Sequence, residues 1–371
     1  MARKASSKQA GAEPAAAQAG GRRRSAGTAS EPGKVTLEMV AAAAGVSPST
    51  VSRILNGTAV VSDDKRAAVD EAVARLGFVP NPMARGLAGG RTLSIGVVTQ
   101  AIDSPFYGGA LRGVEEELSR AGYSPLFVSG HWNAAQEARC IETLRSRRVD
   151  GIIVLTGRLS DAALTACAQQ LPVVVTGRRL QAPGLYSLHF DNFEGGRLAT
   201  HHLLSLGHRR IAFITGEPRH PDAKERQRGY LAALAAAGLP FDPALVVPGH
   251  YTEDSGRMAV ERLLDGRVPF TAIFAANDQM AFGAGLALHR RRLHVPDDVS
   301  LVGFDDLQTA LFSIPPLSTV HHPVYELGQL AASAMLELLA GQTPTAQLPA
   351  PRFIVRESAR QLGTDLRGHG R

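Results

Sequence analysis

The sequence has 371 residues, enough for two or three domains, and its 44% hydrophobic content is ordinary for a globular protein with a full core. It contains no apolar run near 18 residues and no N-terminal stretch of signal-peptide type, so we expect neither a membrane span nor export, and a cytoplasmic location. Its two cysteines, Cys140 and Cys167, form no CxxC motif, and no metal-ligand spacing is present, which argues against a disulfide scaffold and a zinc site.

The formal net charge of +6 suggests a polyanionic partner, and the position of the charges decides how much it means. Residues 1–34 hold seven Lys/Arg against two Asp/Glu, residues 35–91 hold six against five, and residues 92–371 hold 27 against 27. The basicity therefore lies mostly in a tail, which we predict to be disordered over residues 1–33. Nucleic-acid binding must be argued from the segment that follows.

The stretch VTLEMVAAAAGVSPSTVSRILNG, residues 35–57, predicts two short helices joined at a glycine. Thr36 can cap the first helix and Gly45 can end it, while Ser47 can cap the second with Pro48 at its first position. Two helices joined in this way are typical of a helix-turn-helix, which places its second helix in the DNA major groove. The alternative is an Ala-rich helical hairpin without a DNA function.

A third helix should start after Ser62, which can cap it, and stop at Gly77, giving a small three-helix domain over residues 34–80. The segment FVPNPMARGLAGGRT then predicts a short helix and a Gly-rich stretch, which we assign as a hinge helix and linker over residues 81–92. Arg85 and Leu87 present a cation and an apolar wedge together, as a minor-groove binder requires.

From residue 93 onward, short apolar strands alternate with amphipathic helices. The strands are LSIGVV, SPLFVS, GIIVLT, PVVVTG, IAFITG, ALVVPG, TAIFAAN and VSLVGFDD, and the helices include residues 107–121, 134–147, 193–206, 224–237, 254–265 and 278–291. This alternation predicts parallel sheets covered on both faces, and the grouping of the strands predicts two similar lobes. Ligands of such sheets bind at the carboxyl ends of the strands.

Taken in order, the head motif, the segment VSDDKRAAVDEAVARLGFVPNPMARGL and the strand TLSIGVV resemble the lactose-repressor family of bacterial transcription regulators. The resemblance covers about residues 35–360. It implies a small all-α helix-turn-helix head followed by an α/β two-lobed effector domain, similar to periplasmic sugar-binding proteins, over residues 93–360. We place lobe 1 at about 93–191 and 323–342, lobe 2 at about 192–322 and 343–360, and a flexible tail at 361–371.

The DNA-binding residues divide by the contact that each is expected to make. Arg53 should read a guanine directly, and Pro48 and Ser49 should contribute thymine-methyl or water-mediated contacts. By resemblance, Leu87 should wedge into the minor groove at a central C-G step, with Gly86 weakening the hinge helix. The residues placed to hold phosphates and register are Thr36, Ser47, Thr50, Ser52 and Asn56. From the hinge, Asn81 and Arg85 are further candidates for contact with DNA.

The effector-binding candidates follow the strands of the second half. Phe106, with Tyr107, offers an apolar wall, while Arg226, Asn277 and Asp305 match the effector-contacting positions of the family by resemblance. Structural roles remain open for three positions in this group: a helix cap for Asn277 and for its neighbour Asp278, and a surface ion pair for Arg226.

Two further positions leave alternatives open. Gly177 stands where several relatives have an acidic residue and is followed by Arg178 and Arg179, so either a hydroxyl contact is lost or a basic pair accepts an anionic effector. Trp132 follows a strand and is either a wall of the ligand site or a packing residue of its loop.

We therefore predict a dimeric repressor of carbohydrate-utilisation genes that binds a palindromic double-stranded operator and is released by a sugar or sugar derivative. Alternatives are a regulator with an anionic or non-sugar effector and a solute-binding protein without DNA function. An enzyme is not expected, because no GxxxxGK[ST] or GxSxG motif occurs. We expect no catalytic residue, cofactor, metal or membrane partner, and the lack of C-terminal heptads predicts no tetramer.

Overall fold

The computed structural model describes residues 35–55, 61–79, 91–218 and 220–363. Several predictions lie outside these ranges, namely those on Asn56, Asn81, Arg85, Gly86 and Leu87, the tail at 1–33 and most of the tail at 361–371. The chain divides into two compact units, with the boundary between residues 81 and 82. None of the described helices is both long enough and apolar enough to span a membrane.

The first unit is a three-helix head, as predicted, with α1 at Leu37–Ala44, α2 at Pro48–Leu55 and α3 at Asp63–Leu76. The side chain of Thr36 accepts a hydrogen bond from the backbone N–H of Met39, and Gly45 ends α1 in the left-handed conformation that glycine adopts without strain. Ser62 precedes α3 but makes no side-chain cap, contrary to the prediction. The buried core of the head comprises Val40, Ala41, Val51, Val69 and Ala72.

The second unit contains two sheets. Its elements are β1 Ser94–Thr99, α4 Pro105–Arg120, β2 Ser124–Ser129, α5 Ala134–Ser146, β3 Gly151–Val154, α6 Asp161–Ala168, β4 Val173–Thr176, β5 Leu185–Leu188, α7 Asn192–Ser205, β6 Ile211–Thr215, α8 Pro221–Ala236, β7 Val246–Pro248, α9 Glu253–Asp265, β8 Ala272–Ala275, α10 Asp278–Arg290, β9 Ser300–Asp305, β10 Ser318–His321, α11 Val324–Leu339 and β11 Arg352–Ile354.

The first sheet has the strand order β2-β1-β3-β4-β5 and is parallel throughout. The second has the order β11-β10-β9-β8-β6-β7 and is parallel except for β11. We call the layers built on these sheets lobe 1 and lobe 2. The chain passes between them three times: after β5, after β10 and after α11. This is the predicted two-lobed α/β fold, and it brings the carboxyl ends of both sheets to one cleft.

The sequence patterns missed five elements of this unit and placed the starts of two helices too late, since α4 begins at residue 105 and not at 107. The strands β5, β10 and β11 have three or four residues each, with polar residues among the apolar ones, so their periodicity is weak; α6 and α11 were also not assigned. Helix α8 begins at residue 221 and not at 224, because His220 caps it and Pro221 takes its first position.

Three pairs of helices pack with their backbones in close contact, which depends on glycines facing each other. A Cβ atom at Gly113 of α4 would overlap the carbonyl oxygen of Tyr325 in α11, and one at Gly328 of α11 would overlap that of Ala110. The same arrangement joins α7 to α8 through Gly196 and Gly229, and α9 to α10 through Gly256 and Gly283. Side chains at these positions would force the helices apart.

We expect Gly113→Ala to lower the free energy of unfolding of this domain by about 1 to 3 kcal/mol, the usual cost of overpacking. Gly108→Ala on the same helix is the matched control, because a Cβ there would meet no atom within 4 Å, and helix propensity should make it neutral or stabilising by about 0.5 to 1 kcal/mol. Urea midpoints followed by circular dichroism compare the two variants. Equal midpoints would contradict the backbone contact.

Candidate effector cavity and DNA-reading helix

In the head, most of the described residues that are predicted to contact DNA lie on α2 or just before it, and Thr36 lies at the start of α1. Ser47, Pro48, Ser49 and Arg53 are exposed, while Thr36, Thr50 and Ser52 are half-buried. The Oγ of Ser47 lies 2.9 Å from the Oγ of Ser49 and 2.8 Å from the Oγ1 of Thr50, and it accepts the backbone N–H of Thr50 at 3.2 Å.

These contacts place three hydroxyls together at the start of α2, where backbone N–H groups also favour anions. The Nε of Arg53 donates to the carbonyl oxygen of Ser49 at 3.4 Å, one turn earlier. Val51, on the opposite side, is buried in the head core. One face of α2 therefore presents hydroxyls and a guanidinium outward while the other holds the helix in place.

In the second unit, a cavity of about 360 Å³ lies between the lobes at the carboxyl ends of the strands. All four predicted effector residues line it: Phe106, Arg226, Asn277 and Asp305. Aromatic side chains from both lobes complete the walls, with Tyr107 and Trp132 from lobe 1 and Tyr251 from lobe 2. This volume lies within the range of small-molecule sites.

Arg226 is the centre of the lobe 2 wall and is 4% exposed, so it is not the surface ion pair that the sequence left open. Its Nε donates to the Oδ1 of Asn192 at 2.8 Å, its Nη1 donates to the carbonyl oxygen of Ala276, and the same Nη1 lies 3.5 Å from the Oδ1 of Asp305. The guanidinium also stacks on the ring of Phe304 at 3.6 Å. These contacts join α8, the start of α7, and the ends of β8 and β9.

Asp305 ends β9 with a φ of 115°, in a region that non-glycine residues rarely adopt. Burial raises the pKa of its carboxyl to about 7; Arg226 opposes the shift and Asp222 adds to it. The strained backbone and the buried carboxyl both occur at the cavity wall, where such costs commonly accompany function.

Asn277 and Asp278 have structural contacts of the kind that the sequence left open. The Oδ1 of Asn277 accepts the N–H of Met280 at 2.9 Å and so caps α10, and its Nδ2 donates to the carbonyl oxygen of Tyr251 at 3.1 Å. Asp278 is fully buried and bonded to Thr319 and to the N–H of Leu307. Asn277 reaches the cavity, whereas Asp278 does not line it.

Several lining residues were not selected from the sequence, above all His220, Asp222 and Tyr251. They lie in the loops after β6 and β7 and at the start of α8, so the rule that ligands bind at the carboxyl ends of strands could have found them. Tyr251 has a φ of 64°, and its ring lies 5.7 Å from that of His220. Trp132, left open between two roles, both lines the cavity and packs edge-on against His220 at 4.7 Å.

The pair Arg178 and Arg179 lines a different, larger cavity of about 1040 Å³ that opens from the same cleft. Arg178 Nη1 donates to the carbonyl oxygen of Leu159 at 2.6 Å and to Asp161 at 3.0 Å, and its Nη2 donates to the carbonyl oxygen of Gly157. The guanidinium is therefore engaged within lobe 1, and Arg178 does not line the smaller cavity.

A helix-turn-helix head followed by a two-lobed domain with a ligand-sized cavity defines a ligand-responsive, DNA-binding transcription regulator. The profile described as "Bacterial regulatory proteins, lacI family" matches residues 36–81, and that described as "Periplasmic binding proteins and sugar binding domain of LacI family" matches residues 92–358. The chain belongs to the lacI family, whose members are DNA-binding regulators and not enzymes.

Known relatives agree with this assignment. The ribose operon repressor of Escherichia coli is 37% identical over 83% of this chain and 94% of its own length. A structure of the transcriptional regulator CelR in complex with cellobiose is 36% identical and superposes with a TM-score of 0.65, covering 88% of this chain and all of that one. The lac repressor dimer bound to operator and an anti-inducer is 29% identical, with a TM-score of 0.80 over the same shares.

The raised pKa of Asp305 predicts a pH dependence of stability. Between about pH 4, where an unfolded aspartate titrates, and about pH 7, the folded protein holds a proton that the unfolded chain has released. This group's contribution to the free energy of unfolding is thus complete below about pH 4 and lost as the pH rises through about 7.

We expect the urea midpoint of the wild type to fall more between about pH 5 and 8 than that of Asp305→Asn, which cannot titrate. Asp265→Asn, at an exposed carboxylate paired with Arg291, is the control and should behave as the wild type does. Parallel profiles for wild type and Asp305→Asn would show that Asp305 does not titrate in this range.

Proposed function

We propose that this protein is a dimeric repressor that reads a palindromic operator and releases it when a neutral sugar binds in the 360 Å³ cavity. The observation that supports a neutral ligand most directly is the balance of charge on the walls. The cavity is lined by three carboxylates, those of Asp103, Asp222 and Glu253, and by the carboxyl of Asp305, whose pKa of about 7 leaves it partly ionised at neutral pH. Against them stands one guanidinium, that of Arg226. As a DNA regulator, it is expected to act in the cytoplasm.

Arg226 adds little attraction for an anion, because its Nε and Nη1 are bonded within the protein and the partly ionised carboxyl of Asp305 lies 3.5 Å from Nη1. Burial lowers the pKa of His220, so this ring is neutral near pH 7. An anionic effector would meet an excess of negative charge, whereas hydroxyls could donate to the carboxylates and a sugar ring could stack on the aromatic walls. The cellobiose bound to CelR and the name of the ribose operon repressor support the same class.

The second copy needed for a two-fold operator has a suitable surface on lobe 2. Ile314 is fully exposed, and Leu286, Leu311 and Phe312 are 45%, 53% and 72% exposed. Ile314 and Leu286 line a groove of about 470 Å³ together with Phe282 and Leu293. An apolar surface of this kind is unusual on a monomer and is typical of an interface with another protein. The lac repressor, which this fold matches, is a dimer.

We expect Ile314→Asp to raise the dimer dissociation constant about tenfold or more, because a charge would be buried at the centre of the contact. Sedimentation velocity over a range of concentrations measures this. Ile314 touches solvent in the single chain, so the variant should fold normally. Phe241→Asp, at a 52% exposed residue that does not line the groove, is the control and should leave the dimer intact. An unchanged dimer in both variants would place the interface elsewhere.

For the head, Arg53 remains our candidate for direct readout of a guanine; Pro48 and Ser49 remain candidates for thymine-methyl or water-mediated contacts, and the hydroxyls around α2 for phosphate contacts. The hinge residues, the role of Gly86 and the bounds assigned to the tails, hinge and lobes also stay predictions. In the proposed dimer, the heads and hinges of the two protomers bind to one DNA duplex.

Selection of bound duplexes from a random DNA pool at about 150 mM salt should yield a motif with two-fold symmetry and a central C-G step. Arg53→Ala should lose about 1 to 3 kcal/mol of the free energy that discriminates between bases at one base pair of each half-site. Arg75→Ala removes an equal charge from α3 and should bind the same motif with little change in affinity. Absence of any enriched motif, with or without sugars present, would contradict the proposed function.

A further inference from the structure

The carboxylate of Asp222 occupies a central place in the cleft, since Asp222 borders both the 360 Å³ cavity and the 1040 Å³ cavity. It is the second residue of α8, after Pro221, and its side chain is 20% exposed. Asp222 thus faces the ligand space from the same helix that carries Arg226.

Within the described residues, no group donates a hydrogen bond to the Asp222 carboxylate. The Nδ1 of His220 lies 3.8 Å from Oδ2, and this nitrogen already accepts the backbone N–H of Asp222 at 3.2 Å. Asp305, the other carboxylate deep in the cavity, has Arg226 beside it. A largely enclosed carboxylate without a donor is costly, and a ligand that supplied one would remove much of that cost.

Gly177, in lobe 1, lies directly across the cleft from Asp222. A Cβ atom built on Gly177 would stand 3.7 Å from the Oδ2 of Asp222 and 3.3 Å from the Oγ1 of Thr156. An acidic side chain at this position would therefore bring a second negative charge against Asp222. Glycine leaves the space open, and its φ of 70° is one that side chains other than those of Asn and Asp rarely tolerate.

We propose that Asp222 is a specificity-determining residue of the effector site, accepting hydrogen bonds from hydroxyls of the sugar in place of an acidic residue at position 177. This proposal rests on the proposed function and assigns the acceptor to lobe 2, on the same helix as Arg226. The sequence left two alternatives at Gly177, a lost hydroxyl contact or an anion site formed by Arg178 and Arg179. Under this proposal the acceptor for the hydroxyl lies across the cleft on Asp222, and there is no anion site.

The chemistry of the carboxylate defines which ligands Asp222 admits. An ionised carboxylate accepts hydrogen bonds and donates none, so it favours groups with hydroxyl or amino hydrogens. Phosphate and carboxylate groups bring only acceptors and negative charge, and they are repelled. Neutral sugars therefore bind in preference to their phosphorylated forms.

The first test measures binding of cellobiose, D-ribose, D-glucose, D-galactose and glucose 6-phosphate to the full-length protein by calorimetry. Asp222→Asn should raise the dissociation constant of the neutral sugar that binds the wild type by about tenfold or more. This is the usual contribution of a hydrogen bond to a charged group. The same substitution should also reduce the ratio of the affinity for the neutral sugar to the affinity for glucose 6-phosphate. The matched control is Asp254→Asn, which removes an acid from the second position of α9, outside the cavity, and should change affinity by less than about twofold.

The second test uses charge at position 177. Gly177→Asp should bind the sugar more weakly than Gly177→Asn, because both share the backbone strain but only the aspartate repels Asp222. In the Asp222→Asn background the order should reverse, with Gly177→Asp regaining affinity relative to Gly177→Asn. A purely structural role for Asp222 predicts no such reversal.

The outcomes separate this proposal from the proposed function. A wild type that binds none of the neutral sugars, or only glucose 6-phosphate, overturns the proposed function and this inference with it. A wild type that binds a neutral sugar, combined with unchanged affinity in Asp222→Asn or no reversal at position 177, overturns the role of Asp222 alone. Thermal unfolding of each variant without sugar confirms that the compared proteins are folded.

Discussion

The effector site depends on the contacts of one buried group, the guanidinium of Arg226. Its contacts with Asn192, Ala276, Phe304 and Asp305 bring together α7, α8 and the ends of two central strands of lobe 2. A buried charge is tolerated only when its partners are in place, so the wall of the cavity is fixed before any ligand arrives. The same contacts occupy its Nε and Nη1, and for this reason the proposed function assigns the site to hydroxyls and not to anions.

The neighbour of Asp305 in sequence gives the site a physical connection to the segments that join the lobes. Asp306 contacts Arg356 at 2.6 Å and His321 at 2.8 Å, and His321 ends β10 just before the chain crosses to lobe 1. The next residue, His322, packs on Phe190 of another crossing segment with ring centroids 4.0 Å apart. A continuous series of contacts therefore connects the wall of the cavity to two of the three segments that join the lobes, those after β5 and after β10.

Contacts also join the lobes directly across the cleft. The Nη2 of Arg158 lies 3.4 Å from the Oε1 of Glu217, and Trp132 rests against His220. A ligand between the lobes can favour one arrangement of these contacts over another, and only such a difference can change the protein's affinity for DNA. If the effector is a neutral sugar, as proposed, the aromatic and acidic groups that face the cavity would give the two arrangements of the lobes different affinities for it.

The sequence predicted the features that depend on local signals. The caps Thr36 and Ser47, the left-handed Gly45 and the eight strongly apolar strands follow from residue preferences, and the resemblance led to Arg226 and Asp305. Local sequence signals failed for short strands such as β11, whose pairing depends on residues of β10 that lie 31 to 35 positions earlier in the chain. The sequence analysis also missed Asp222 and Tyr251. Their position after strands made them candidates, but what sets them apart from other loop residues is the group that lies across the cleft from each.

The most direct test of the account is to titrate a neutral sugar that binds the full-length dimer against its selected operator, and to measure sugar affinity on free and operator-bound protein. We predict that saturating sugar weakens operator binding by about 5- to 150-fold, and that operator weakens sugar binding by the same factor. Operator affinity that stays constant while the cavity fills with sugar would show that the two domains are not coupled, and would contradict the account.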